Sequence, residues 1–428
     1  MTRGLLVRRL GASGGVVALL TAIVAVVPTP GMAAAPRNAG TRSPAGTQSF
    51  HDAVAAAWER LPQRGIFVAR EATVAARYAA GGALVPNAPT ATGTFINDRI
   101  AGSNNGYITS QVGVSTPVWL PGEGTATQNL ARADAVANVA AVEAEHLALA
   151  GQVLDLAVQA IAAGQAREVA TRRLATDQAL ATDLARRFRL GESSQSDSLA
   201  ADAEAAGDVL RLQTAQAQLD VALLALATVT GTETLPRLEV AGPPVAAVAA
   251  DPLAGNPRVI AADQAVEAAR ANARLVRIAN RDDPELGLQG INEKQPGTRW
   301  DTRFGVTLTF HFATEARNGP RRAEAQQAVT QAEVQRLIVR REVTMLTRQA
   351  QAVLAATERG SVAAARAAAD VETRRGQIER AWRAGEMPLI EVVRANALAF
   401  DAAYARDKAR TDLAAARLRL RLAGGALP

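Results

Sequence analysis

Hydrophobic and polar positions change period along this chain, and the change separates two kinds of element. Over "RFGVTLTFHF" (303 to 312) they alternate. Phe304, Val306, Leu308, Phe310 and Phe312 share one face of an extended strand, with Arg303, Gly305, Thr307, Thr309 and His311 on the other. A second run, 111 to 120, sets Val112, Val114, Thr116, Val118 and Leu120 against Gln111, Gly113, Ser115, Pro117 and Trp119. Upstream, "TATGTFIND" and "PELGLQGINE" predict partner strands, with turns at "SNNG" and "KQPG", so two β-hairpins are expected. Two stretches of helical period, 125 to 190 and 321 to 384, contain no proline. At 1.5 Å per residue they predict helices of about 95–100 Å. The return stretches, 196 to 230 and 390 to 424, are about half as long, and moderate helices near 50 to 80 and 256 to 281 supply the rest. Two shorter helices end to end thus match one long one. Spacings of seven (Leu147, Leu154, Ile161; Leu212, Leu219, Leu226; Leu413, Leu420) mark the seams along which such helices pack.

The chain is written twice. "RFRLGESSQSDSLAADA" from 187 aligns without a gap on "AWRAGEMPLIEVVRANA" from 381, and one spacing, 194, separates both Gly191 from Gly385 and Gly231 from Gly425. Pro62 matches Pro257, Pro89 matches Pro284, and "VGVSTPVWL" matches "FGVTLTFHF". A period of nearly half the chain means duplication of one large unit, not a solenoid of short repeats. The expected organisation is a signal peptide (1 to 33), a flexible segment (34 to 48), a first repeat (49 to 235), a linker (236 to 255) and a second repeat (256 to 428). Each repeat runs helix, β-hairpin, long helical hairpin.

Composition narrows the class. Hydrophobic residues make up 48% but aromatics only 4%, with alanine abundant, which suits closely packed long helices better than a bulky core. Arg3, Arg8 and Arg9, the apolar run 16 to 27 and the small-residue stretch "GMAAA" read as a secretory signal, with cleavage expected after Ala33. The formal charge of +6 owes half its value to those three arginines, and no basic block suggests a nucleic-acid partner. With no cysteine there is neither a disulfide framework nor a thiol to carry a lipid anchor. No stretch after the signal is expected to match a transmembrane helix, so any membrane span must be built of strands.

Reactive chemistry is sparse. His51, His146 and His311 are scattered without metal-ligand spacing, and no nucleophile, base and orienter set is visible, so no catalytic, cofactor or metal site is expected. "GEGTAT" at 122 lacks the third glycine of a phosphate loop and is expected to turn strand into helix; "RDDP" (281 to 284) reads as a helix end before proline. An envelope hydrolase is thereby disfavoured.

Over essentially the whole mature chain the sequence resembles the TolC-type outer-membrane efflux family. The likeness rests on "NPRVIAADQAVEAARANARLV", on "FGVTLTFHFATEARNGPRRAEAQQA" and on the long run from "RAGEMPLIEVVRANALAF" to "LRLAGG", with "FRLGESSQSDSLAADAEA" as the weaker first copy. Within the family, "ATEARNGPRRAEAQ" is most similar to the heavy-metal efflux branch. The resemblance implies a mainly α protein with a small β part, acting as a homotrimer. Four strands per chain would build one twelve-stranded outer-membrane barrel, and the helices a periplasmic α-barrel that meets an adaptor protein and an inner-membrane pump of the RND type. It implies a passive conduit for small molecules or ions; a type I protein-secretion channel and a pore-less periplasmic adaptor or scaffold are the alternatives. Physical reasoning agrees, because four strands cannot close a barrel with a lumen and an open edge in lipid leaves backbone groups unpaired. Val112, Val114, Val118, Phe304, Val306, Leu308 and Phe310 are then expected to face lipid. Gln111, Ser115, Arg303, Thr307 and Thr309 would face the lumen. The turns Leu190, Gly191, Glu192, Ser193, Ser194 and Ala384, Gly385, Glu386, Met387, Pro388, Leu389 are expected at the far tips, as docking surfaces for the adaptor.

Overall fold

The computed structural model describes residues 48–99, 102, 104–238 and 251–427. The expected signal peptide, nearly all of the segment 34 to 48 and the middle of the linker lie outside the described residues. In chain order the elements are α1 (Phe50–Arg60), α2 (Arg64–Gly81), β1 (Thr90–Asn97), β2 (Ile108–Pro117), α3 (Glu123–Arg189), α4 (Gln195–Thr230), α5 (Pro257–Ile278), β3 (Glu285–Lys294), β4 (Asp301–Thr309), α6 (Glu315–Arg383) and α7 (Leu389–Ala423).

The long helices are as long as their period demands, 67 residues for α3 and 69 for α6, each about 100 Å. α6 begins earlier than expected and takes in Pro320 in its second turn, where the ring nitrogen leaves the Ala316 carbonyl without its ladder donor. α3 packs against α2, α4, α5 and α7, and α6 against α5 and α7. Shorter helices therefore fill the flanks of the long ones in pairs. One helix among the described residues, α3, holds a window long and apolar enough by composition to cross a membrane, contrary to the sequence expectation. Alanine accounts for this: it reads as apolar in a hydropathy window, yet in α3 it serves close helix packing, with Ala131, Ala150, Ala157 and Ala160 fully buried within the chain.

The largest core cluster lies partway along α3. Leu147, Leu149, Val153 and Leu154 of α3 meet Phe50, Ala53 and Ala57 of α1 and Leu418 and Leu422 of α7. A fully buried leucine such as Leu154 contributes about 1.5–3 kcal/mol relative to exposure. Of the seven-residue seams, Leu147, Leu154, Leu226 and Leu420 are buried, while Ile161, Leu212, Leu219 and Leu413 are only half-buried.

End-to-end stacking has a specific joint. Asn256 caps α5, accepting from Arg258 N at 3.1 Å, and its Nδ2 donates to the carbonyl of Ala423, the last residue of α7, at 3.0 Å. Thr347 of α6 donates to the same carbonyl at 3.3 Å. One buried asparagine thus satisfies an orphan amide of one helix and an orphan carbonyl of the other. Asn256→Ala is expected to cost about 1–2 kcal/mol, read as a lowered denaturation midpoint, because it removes the cap and one of the two donors to the Ala423 carbonyl.

The first repeat departs from the second at Pro62. The expected single helix over 50 to 80 is broken there: Leu61 before the proline is extended (ψ 117) and α2 starts at Arg64. Since Pro62 matches Pro257, the N-terminal residue of α5, it is α2 that corresponds to α5. Among the described residues α1 has no counterpart in the second repeat.

Candidate functional site

The four strands form one antiparallel sheet in the order β1-β2-β3-β4. Each hairpin comes from one repeat, and β2 pairs with β3 across the duplication, Val112 opposite Gly290 and Val114 opposite Leu288. Register places Ala91, Val114, Leu288 and Val306 in one cross-strand row, Gly93, Val112, Gly290 and Phe304 in the next, and Thr116, Leu286 and Leu308 in a third. Over these three rows the face is mostly apolar and open, Phe304 being 88% exposed and Leu288 and Val306 69% each, before Phe95 is joined by Ser110, Asn292 and Thr302 in a fourth row. The expected residues Val112, Val114, Phe304, Val306 and Leu308 all belong to this face. Val118 and Phe310 are exposed too but fall just beyond the paired strands, which are shorter than the alternation suggested.

The opposite face carries Thr90, Ser115, Gly287 and Thr307 in one row, Thr94, Gln111, Ile291 and Arg303 in another, with Thr309 opposite Glu285. Here the side chains bond to one another. Thr90 and Ser115 hydroxyls are 2.7 Å apart, Gln111 donates to Gln289 at 2.7 Å, Ser115 donates to Glu285 at 3.0 Å, and Arg303 pairs with Glu293 and Asp301. This face is also the crowded one. A methyl on Gly113 would lie 2.9 Å from Thr92 Oγ1 and one on Gly287 2.8 Å from Thr307 Oγ1, whereas Gly93, on the apolar face, has nothing within 4 Å. Crowding on one face is what curvature towards that face produces. Among the described residues, β1 and β4 each keep one edge without a neighbour.

The two hairpin tips repeat one geometry. In each, the glycine is left-handed (Gly191 φ 78, Gly385 φ 79), and the residue after it donates back to the carbonyl five positions earlier: Glu192 to Arg187 and Glu386 to Ala381, both 2.9 Å. These bonds satisfy the carbonyls a helix end leaves open. Ser194 caps α4 through Asp197 N at 3.0 Å; Pro388 occupies the equivalent place before α7 with no side-chain bond. Leu190, Gly191, Glu192, Ser194, Ala384, Gly385, Glu386 and Pro388 are exposed and Ser193 is half-buried.

Leu389 and Met387 need correction as docking residues. Leu389 is 7% exposed and packs on Ala181, Leu184 and Ala201, joining the second hairpin to the first; Met387 folds against the cluster of Ile378, Val392 and Ala395. An apolar residue just past a turn can reach back into the seam, so its presence does not require a partner. Arg187 over the Trp382 ring, 4.9 Å from its centre, ties the two tips further.

Sequence reasoning missed two carboxylate groupings. Asp283 of "RDDP" meets Glu123 at the start of α3, while Asp282 pairs with Arg317. Burial, then hydrogen bonding to Asp283, pushes Glu123 up to about 7. Between α3 and α4, ligand oxygens of Asp177, Glu204 and Asp208 lie within 4.8 Å of one another. The signal was available: Asp208 is seven residues from both Ala201 and Ala215, so it stands on the packing seam. "GEGTAT" behaves as expected, Gly122 (φ 82) turning the strand into α3. His146 packs edge-on against Trp58.

Neither a protein-family model nor a curated protein sequence matches this chain. Solved structures do. The Campylobacter jejuni CmeC outer membrane channel aligns with a TM-score of 0.70 at 15% identity, covering 88% of this chain and 85% of that one. The outer membrane protein VceC of Vibrio cholerae gives 0.67 at 16% identity over 89% and 97%. The Neisseria gonorrhoeae MtrE outer membrane channel, solved in its open state, gives 0.66 at 18% identity over 88% and 89%. The chain has the TolC-type fold that its sequence resembles, four strands on long helical hairpins.

Proposed function

We propose that this protein is the outer-membrane channel of a tripartite efflux system, a passive homotrimeric conduit joined through a periplasmic adaptor to an inner-membrane pump. One observation carries the reading: a sheet whose apolar face is exposed, whose polar face is crowded and internally bonded, and whose two edges are open. In water such a face is a liability, and in lipid it is at home. Edge closure between copies satisfies the backbone groups that lipid cannot. Strands of 8 to 10 residues suit a tilted membrane strand of about 9–11. Tyr107 and Trp300, exposed at the turns, sit where an interfacial aromatic belt would lie. The fold likeness to outer-membrane channels supports the same assignment.

Helices of about 100 Å are long enough to carry the tips deep into the periplasm, where an adaptor would meet them. An adaptor itself would be expected to carry one long hairpin beside β-rich domains, and this chain has two hairpins. The cargo is taken to be small molecules or ions, with the heavy-metal lean resting on "ATEARNGPRRAEAQ" alone. Cell fractionation tests the reading. The protein is expected in the outer membrane, extracted only by detergent and migrating as a trimer on native gels; recovery as a soluble monomer would refute it.

A further inference from the structure

About 20 Å above the first tip, the seam between α3 and α4 holds a buried charge cluster that the channel reading leaves unused. Asp177 is 4% and Asp208 0% exposed. Arg173 of α3 donates to Glu204 at 2.8 Å and lies 2.9 Å from Asp208 Oδ1; Arg211 of α4 pairs with Glu204 and Asp208. Those bonds use one oxygen of each α4 acid. Asp208 Oδ2 and Asp177 Oδ1 are buried without a partner, and Asp177 has only a loose pair with Arg173 at 3.9 Å. On α7, the charged residues near this level, Glu391 and Arg394, pair with each other at 2.8 Å.

Three carboxylates and two guanidiniums leave one surplus negative charge. A single proton cancels it and supplies the missing donor between two orphan oxygens; a divalent cation would overshoot and meet two arginines already in place. We propose that Asp177 and Asp208 share a proton, forming a latch that holds the lower part of α3 to α4 and slackens when the proton leaves. The environment agrees: burial first, then the hydrogen bond and charge of Asp208, push Asp177 up to about 7 against the opposing pull of Arg173. Its ordinary value is 3.8, so the folded chain keeps this proton through mildly acid conditions in which the unfolded chain has lost it. Closure is therefore favoured below neutrality and lost as pH rises through about 7. The latch belongs to the hairpin itself and stands whether or not the chain is a conduit.

Because the protein has no cysteine, Thr182→Cys and Ala203→Cys give two unique spin-label sites on the exposed sides of α3 and α4. In the full-length protein in detergent, the label-to-label distance distribution is expected to be narrow at pH 6 and broader at pH 8. Asp177→Asn, which keeps a donor towards Asp208, is expected to hold it narrow at both. As a second measurement on the unlabelled protein, pH-difference infrared spectra should show a protonated carboxyl band lost between pH 6 and 8. That band should persist in Glu123→Gln, which removes the other raised carboxyl, and vanish when Asp177→Asn is added to Glu123→Gln. The proposal is overturned by distances identical at both pH values, by the absence of such a band in Glu123→Gln, or by a distance change that follows added Ca²⁺, Mg²⁺ or Zn²⁺ at fixed pH.

Discussion

Val306→Arg is expected to destabilise the assembled protein by about 2–4 kcal/mol, while Thr307→Arg, one residue along, leaves assembly intact and alters conductance. The two positions share a strand, a local backbone and similar exposure within the chain, so neither propensity nor burial in the monomer distinguishes them. What differs is the face. Val306 stands in the row of Leu288, Val114 and Ala91, all apolar, and an arginine there would carry its charge into hydrocarbon. Thr307 stands over Gly287 and Ser115, beside bonded polar groups, where an arginine reaches water and the carboxylate of Glu285. Heat resistance of the trimer on semi-native gels reads the first effect and single-channel recording in planar bilayers the second. Equal tolerance at both positions would mean that the sheet does not meet lipid.

Reversing the charge at both tips, Glu192→Arg with Glu386→Arg, is expected to abolish export to the level of cells lacking the protein without changing trimer yield. Both side chains are exposed and follow a left-handed glycine whose conformation is left untouched, so the turns keep their backbone bonds. The structure narrows this test. Met387 and Leu389 must stay, since both pack within the chain and replacing them would loosen the joint between hairpins. Ser193 stays as well because its hydroxyl reaches the Leu184 carbonyl at 3.4 Å. Restoration by an opposite-charge change in an adaptor would locate the contact; undiminished export would leave the tips with a purely structural role.

The places where reading residues along the chain fell short share a cause. Pro62 aligns with Pro257, yet whether a proline opens a helix or breaks one depends on what precedes it: before Pro257 stands the capping Asn256, before Pro62 the helix α1. Leu389 looked surplus to a turn because its partners Ala181, Leu184 and Ala201 are roughly two hundred residues away in sequence. Asp177 and Asp208 lie on different alanine-rich helices, and nothing in their immediate flanks marks them as buried. In such helices, small side chains let backbones approach, and a charge on the seam is buried by its neighbour rather than by its own flanks.

Taken alone, the sequence determined the element types, the duplication, the two faces of the strands and the length of the long helices, because each follows from periodicity or from rise per residue. It also located the tips, where glycine at the same place in both repeats permits the left-handed turn. Tertiary structure alone decided the pairing of β2 with β3, the joint at Asn256, the inward turn of Leu389 and the meeting of Asp177 with Asp208. Those depend on which distant surfaces come together, and periodicity along one chain carries no information about distance between elements.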